Sequence, residues 1–211
     1  MNDFLELIKT RRSIRRFLDD PVAEEDIKKM LEAAHFAPSA SNSLPWRFIV
    51  IKDRELLRRM SQAVSDTLEP FIQKMPEEEG NRLRSHSHYY TFFDQAPVVI
   101  AVLGLAYSSR LLAQLSNYGE PPRSQVVNAG QQSLGACIQN LLLAAHALGY
   151  GTCWMTGSMV AQSELEALLE VADPWHLVAL VPVGRPAHKP SPPPRTDLRE
   201  IVTVVEPETI L

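Results

Sequence analysis

With 211 residues, 45% of them hydrophobic and 22% charged, the chain is long enough for one domain with a sizeable core and too apolar to be disordered. A formal net charge of −4 argues against a general nucleic-acid binder, which carries a basic surface. The two cysteines, Cys137 and Cys153, form neither a metal-spaced pair nor a disulfide framework, which suits a reducing cytoplasm; MNDFLELIKT does not read as a signal peptide, and no apolar run is long enough to span a bilayer.

In chain order, Asn2 or Asp3 can cap a first helix through FLELIKTRR, which FLDDP breaks. EEDIKKMLEAAHFA predicts a second helix, acidic in its first turn, with Ile27, Met30, Leu31 and Ala34 on one face. APSASNSLP is a loop of turn-formers, and WRFIVIK is a buried strand. DRELLRRMSQAVSDTLEPF is helical until Pro70, and residues 74–92 are polar with no steady period. APVVIAVLG is an apolar strand, followed by a second irregular segment near 107–122. The longest helical pattern covers 131–149 and is apolar on most faces, so it must be covered on most sides. A second subunit or a central place in a monomer core would each satisfy that. TCWMTG is a short strand running into a loop, Ser163 can cap ELEALLEV, and WHLVALVPVGRP is a strand. KPSPPPR is stiff and extended, and EIVTVV is a last strand. Helices and strands mix around one core, so the class is α+β or α/β.

Two segments stand out chemically. RRSIRRF places four arginines around a serine, and arginine's fixed fork of donors matches phosphate oxygens. The ordinary alternative is a solvated basic helix end. PSASNSLPW has small side chains that admit a ligand close to the backbone, with Ser39, Ser41 and Asn42 as hydrogen-bonding groups; the alternative is a plain helix-to-strand connection. There is no GxGxxG after the first strand, no P-loop and no GxSxG elbow. His86 and His88 lack a third metal ligand at a telling spacing, Cys153 reads as a small buried thiol, and Trp46, Trp154 and Trp175 read as core.

Taken together and in order, RRSIRRF, APSASNSLPWRFIV, APVVIAVLG, LLLAAHALGYGTCWMTG and VGRPAHKPSPPPRTDLREIV resemble the FMN-dependent nitroreductase family over nearly the whole chain. The resemblance implies a single α+β domain over 1–211 and an intertwined homodimer with two FMN sites at its interface. It implies that Arg11, Arg12, Ser13 and Arg15 contact the phosphate and the flavin edge, with Arg15 as a cation that tunes the ring. It assigns Pro38, Ser39, Ala40 and Asn42 to the loop from the other subunit, Thr156 and Gly157 to the flavin ring, and Arg195 to the phosphate. No side-chain acid or base and no metal is implied, because the cofactor carries the hydride. NADH or NADPH is the implied donor and a nitroaromatic or quinone the implied acceptor. Dehalogenation, flavin cleavage, or flavin binding without fast turnover are the alternatives. Leu44 stands where the family often has Gln, and 74–92 and 107–122 lie where relatives vary their substrate lids.

Overall fold

The computed structural model describes residues 2–106, 110–119 and 128–205. Nine α-helices and four strands are described: α1 (Asn2–Thr10), α2 (Glu24–His35), β1 (Trp46–Ile51), α3 (Arg54–Ile72), α4 (Glu77–His86), α5 (His88–Thr91), β2 (Val98–Leu105), α6 (Arg110–Leu115), α7 (Ala129–Ala147), β3 (Gly151–Thr152), α8 (Gln162–Leu168), β4 (Trp175–Gly184) and α9 (Leu198–Ile201). The strands form one antiparallel sheet in the order β1-β2-β4-β3. The class is therefore α+β.

Each face of the sheet carries its own core. On one face, Ile100 and Val102 of β2 and Val181 of β4 meet Met30 of α2 and Ile138, Leu141 and Leu142 of α7. On the other, Val99, Ala101 and Leu180 meet Leu57, Met60 and Val64 of α3 and Leu165 of α8. Strands buried on both sides read as continuous apolar runs, which is how β2 and β4 read in the sequence. Opposite Val102 and Leu103, β4 holds an extra residue, Val178. Glu166 Oε1 accepts from Leu177 N at 2.7 Å and Gln162 Nε2 donates to Leu177 O at 2.9 Å, so side chains of α8 hold the backbone of Leu177 beside this bulge.

Several expectations need correction. α3 does not stop at Pro70 but runs to Ile72: Leu68 and Ile72 are buried under the sheet, and a proline in the last turn forfeits a single backbone bond. The polar 74–92 segment is helical: Pro76 precedes α4, Glu77, Glu78 and Glu79 occupy its first turn, and Arg84 and His86 its last. That charge order suits the helix dipole although no apolar period announces it. The second irregular segment, 107–122, contains α6, and its remainder lies partly outside the described residues. Ser163 is inside α8, whose N-cap is Ala161. Asn2 and Asp3 lie within α1, which ends at Thr10 and leaves Arg11 and Arg12 beyond it. β3 is two residues long, with Met155 making an isolated bridge to Leu180. EIVTVV forms no strand: α9 ends at Ile201, and Val202, Val204 and Val205 are exposed. Trp46 is buried, but Trp154 is 40% exposed beside Gly135 of α7. Leu142 belongs to the core of its own chain.

Candidate functional site

The arginine segment is an added rim of the sheet. Ile14 N donates to Thr152 O at 2.9 Å, Leu18 N to Arg185 O at 2.9 Å, and Ala187 N to Arg16 O at 3.0 Å. These bonds hold residues 11–18 extended between β3 and the end of β4, which explains why α1 stops despite the favourable arginines beyond it. Gly151 is required here: a Cβ on it would lie 2.5 Å from Ile14 Cγ1. Ile14 is buried at 5% exposure and anchors the segment, leaving the polar neighbours at the surface of the cleft.

Arg11 is the most constrained of them. It is half-buried, and its Nη1 is buried without a hydrogen-bond partner. Burial, with Arg12 and Arg195 nearby, holds its pKa below the ordinary arginine value, against a smaller opposing influence from Cys153. A buried guanidinium nitrogen is costly to leave unpaired, the more so with other cations nearby. Burial pushes the pKa of the Cys153 thiol up, against smaller opposing influences from Arg15, Ser13 and Arg11. Arg12 Nη1 donates to Lys9 O and Arg11 O, both at 2.7 Å, so it also caps the end of α1. Arg15 is exposed, its guanidinium 5.7 Å from the Tyr89 ring centre. On the α1 side, a recess of about 250 Å³ includes Arg12, Lys189 and His146. His146 Nε2 lies 3.0 Å from Thr10 Oγ1, and burial, then Arg11, Lys189 and Arg12, hold its pKa below 6.5. On the α5 side, a cavity of about 560 Å³ includes Ser13, Arg15 and Arg16. Neither is lined by a carboxylate among the described residues.

Thr156 and Gly157 follow β3 at the surface of the same region. A Cβ on Gly157 would lie 2.5 Å from the Tyr90 ring, and Ser158 Oγ donates to Tyr90 O at 2.6 Å. α5 is thereby clamped to the wall that follows β3.

The Pro38–Asn42 loop lies elsewhere. Ala40 N donates to Ser133 Oγ at 3.0 Å, near the start of α7, whereas Thr10 meets His146 near its end. Thirteen helical residues separate Ser133 from His146, or roughly 20 Å at 1.5 Å per residue. One small ligand cannot touch both groups within a chain. The loop is also strained: Ser41, Asn42 and Leu44 have φ of 54°, 51° and 45°. Left-handed backbone is tolerable for Asn but costly for Ser and Leu, and such strain gathers at functional sites. Ser39 Oγ accepts from Leu44 N at 3.0 Å, and the Leu44 side chain packs on the α2–α7 core. The position where relatives often carry an amide is thus given to packing here.

The sequence profile of the Nitroreductase family matches residues 8–185. The chain belongs to that family. It is 34% identical over 171 residues to a protein of Archaeoglobus fulgidus named "Putative NADH dehydrogenase/NAD(P)H nitroreductase", covering 81% of this chain and 76% of that one. It is 28% identical to the nitrobenzene nitroreductase of Ectopseudomonas oleovorans, covering 85% of each. Among solved structures, a BluB-like flavoprotein from Clostridium difficile superposes with a TM-score of 0.89 at 32% identity, covering 96% of this chain and 98% of that one.

Reading the residues singly misses Tyr89, Tyr90, His146, His188 and Lys189, since nothing in their spacing places them near RRSIRR, and it gives Arg16 no role apart from its neighbours.

Proposed function

We propose that this nitroreductase-family chain binds FMN and uses NADH or NADPH to reduce a small nitroaromatic or quinone, working as a homodimer in the cytoplasm. The observation that carries the reading is the unpartnered, buried Nη1 of Arg11 in a carboxylate-free cluster with Arg12 and Arg195. A phosphate dianion offsets that cluster, and charge-assisted bonds to it are among the stronger ones available. Arg11, Arg12, Ser13 and Arg195 would hold the phosphate, Arg15 the ring edge, and Thr156 and Gly157 the wall along the ring. When bound, the flavin supplies the hydride chemistry. Arg15 keeps a positive charge at the edge where reduction adds negative charge, which favours the reduced form.

The separation of the Pro38–Asn42 loop from Arg11 supports the homodimer. An antiparallel pairing along α7 would bring the loop of a second copy to the arginine segment. Leu143 and Gln139 of α7, with Gly135 and the half-exposed Trp154, lie outside both core clusters and are available for it. A second pair of surfaces also asks for a partner: β1 is an unpaired edge beside an open groove of about 780 Å³ that includes Phe36 and Phe48, and Ile201, Val202, Val204 and Val205 are exposed.

Relatives named 5,6-dimethylbenzimidazole synthase and iodotyrosine deiodinase, at 28% and 26% identity, make the acceptor the variable part of the reading. The deciding experiment is an absorbance spectrum of the purified dimer, a titration of flavin-free protein with FMN and riboflavin, and NAD(P)H oxidation with each acceptor. Yellow protein, strong preference for FMN, and acceptor-dependent oxidation are expected. Equal affinity for the two flavins would remove the phosphate role of the arginines, and bound flavin that neither nicotinamide reduces would leave a flavin-binding protein.

A further inference from the structure

Resting on that flavin reading, we propose that the acceptor is an anionic aromatic, a nitro-bearing or quinonoid ring carrying a carboxylate, and that Arg16 selects for it.

The cavity of about 560 Å³ between the arginine segment and α5 is lined in part by Arg15, Arg16, His88, Tyr89, Gln95 and His188. It brings two guanidiniums, two imidazoles and an amide together with no carboxylate among its described lining residues. The chain as a whole has 25 acids and 21 lysines and arginines, so a wall of one sign is a local arrangement, not a consequence of composition. Arg54, Arg58, Arg84 and Arg199 are held in ion pairs, while among the described residues Arg15 and Arg16 have none. Arg16 is nevertheless fixed at its backbone by the bond from Ala187 N.

The flavin does not account for this charge. A bound FMN would present its phosphate to Arg11, Arg12 and Arg195 and its ring edge to Arg15. Arg16, one residue further along an extended segment, is surplus to that set, and it opens on the same cavity as Arg15. What remains beside it is a hydrogen-bonding amide, Gln95, and the imidazoles of His88 and His188.

The aromatic part of the ligand follows from Tyr89. Tyr89 is 47% exposed, and its ring centre lies 4.0 Å from that of His88 and 6.0 Å from that of His86, with the Arg15 guanidinium 5.7 Å away over the ring. It is held from beneath: Tyr90 packs on Gly157 and Phe92 is buried. A half-exposed tyrosine flanked by imidazoles, beside arginines without ion pairs, suits a flat ring with an anionic substituent.

The bond changes leave the carboxylate untouched. In its first reduction a nitro group takes two electrons and two protons. One NAD(P)H supplies a hydride, solvent supplies the other proton, and the products are a nitroso group, water and NAD(P)⁺. The carboxylate only sets where the ring sits.

The test compares 4-nitrobenzoate with 4-nitrobenzamide as acceptors for the FMN-loaded dimer. The amide withdraws electrons more strongly and is intrinsically the easier to reduce, so a preference for the carboxylate reports on the protein. The exposed Arg16 should favour 4-nitrobenzoate roughly fivefold to tenfold in kcat/KM, mainly through KM. Added salt should shrink that ratio. Arg16→Gln should bring it near one while leaving flavin content and the 4-nitrobenzamide constants as they were. Equal kcat/KM in the unaltered protein, or a preference that survives Arg16→Gln, overturns the proposal. Calorimetric titration with both compounds needs no turnover and separates the two readings. Flavin uptake with equal affinities sinks the anionic acceptor alone, and a carboxylate preference in protein that takes up no flavin sinks the flavin site alone.

Discussion

Replacing Arg11 with Met, which keeps the apolar stem and removes the guanidinium, should push binding and stability in opposite directions. In the ligand-free chain the Arg11 Nη1 is buried and unpartnered, with Arg12 and Arg195 as its charged neighbours. Leaving a buried donor unsatisfied costs about 1–3 kcal/mol, so its removal should stabilise the ligand-free protein by part of that amount. With FMN bound, the same nitrogen would donate to phosphate. Losing one charge-assisted bond costs about 1.5–3 kcal/mol, or roughly tenfold to a hundredfold in affinity. Riboflavin, without the phosphate, should bind the variant and the parent equally. Flavin-fluorescence titrations with both flavins, and thermal melts with and without FMN, measure all four quantities. The expected result is a higher melting temperature without ligand, a smaller upward shift on adding FMN, and an unchanged riboflavin constant. A variant that loses riboflavin as badly as FMN, or that melts lower in both states, would refute the reasoning, because Arg11 would then be holding the fold instead of waiting for an anion.

Arg195→Ala should weaken FMN by a similar roughly tenfold factor without destabilising the ligand-free protein, since Arg195 is exposed, and the loss should be larger at low salt; an unchanged titration would move the phosphate away from it. Leu143→Asp should dissociate the dimer while leaving the helical spectrum intact, whereas Leu142→Asp should prevent folding, because Leu142 is 3% exposed within its own chain; light scattering and circular dichroism tell the two apart, and a Leu143→Asp dimer would move the interface off α7. Donor and acceptor taking turns in one cleft should give parallel double-reciprocal lines, and intersecting lines would require both bound at once. His146 has a folded pKa held below 6.5, chiefly by burial and then by the cations around it. The unfolded chain therefore binds more protons below pH 6.5, so the neutral imidazole's contribution is present above that pH and is lost as pH falls through the folded value. Relative to His146→Gln, the unaltered protein should lose stability on acidification in denaturant titrations, and a relative gain would reverse the sign of the shift.

The candidate site was legible in the sequence to an uneven degree. The arginine segment by itself left an anion site and a solvated basic helix end both open, and it was the ordered set of segments that carried the family and, by resemblance, the anion. The helices within 74–92 were missed. α4 has charge order but little apolar period, since only Gly80 of its residues is buried, and periodicity detects burial. The last strand was overread for the opposite reason. Ile201, Val202, Val204 and Val205 have strand-forming side chains, but a strand also needs a neighbour, and this segment pairs with no described strand.

What the sequence determined by itself, then, was whatever depends on local chemistry: the apolar runs of β2 and β4, the amphipathic α2 and α3, the reach of α7, and the cationic stretch after α1. Only the tertiary structure decided which of these meet. Extended pairing with β3 turned Arg11 inward until one of its nitrogens lost both water and partner, while Arg16, five residues on, stayed at the surface of a cavity. The packing of α5 on Gly157 brought Tyr89 to Arg15 across more than seventy residues, and the length of α7 set the Pro38–Asn42 loop apart from the arginines. Propensity and pattern act over a few residues and fix elements. Desolvation, surplus charge and reach are properties of surroundings assembled from distant parts of the chain, and they exist only once the elements have packed.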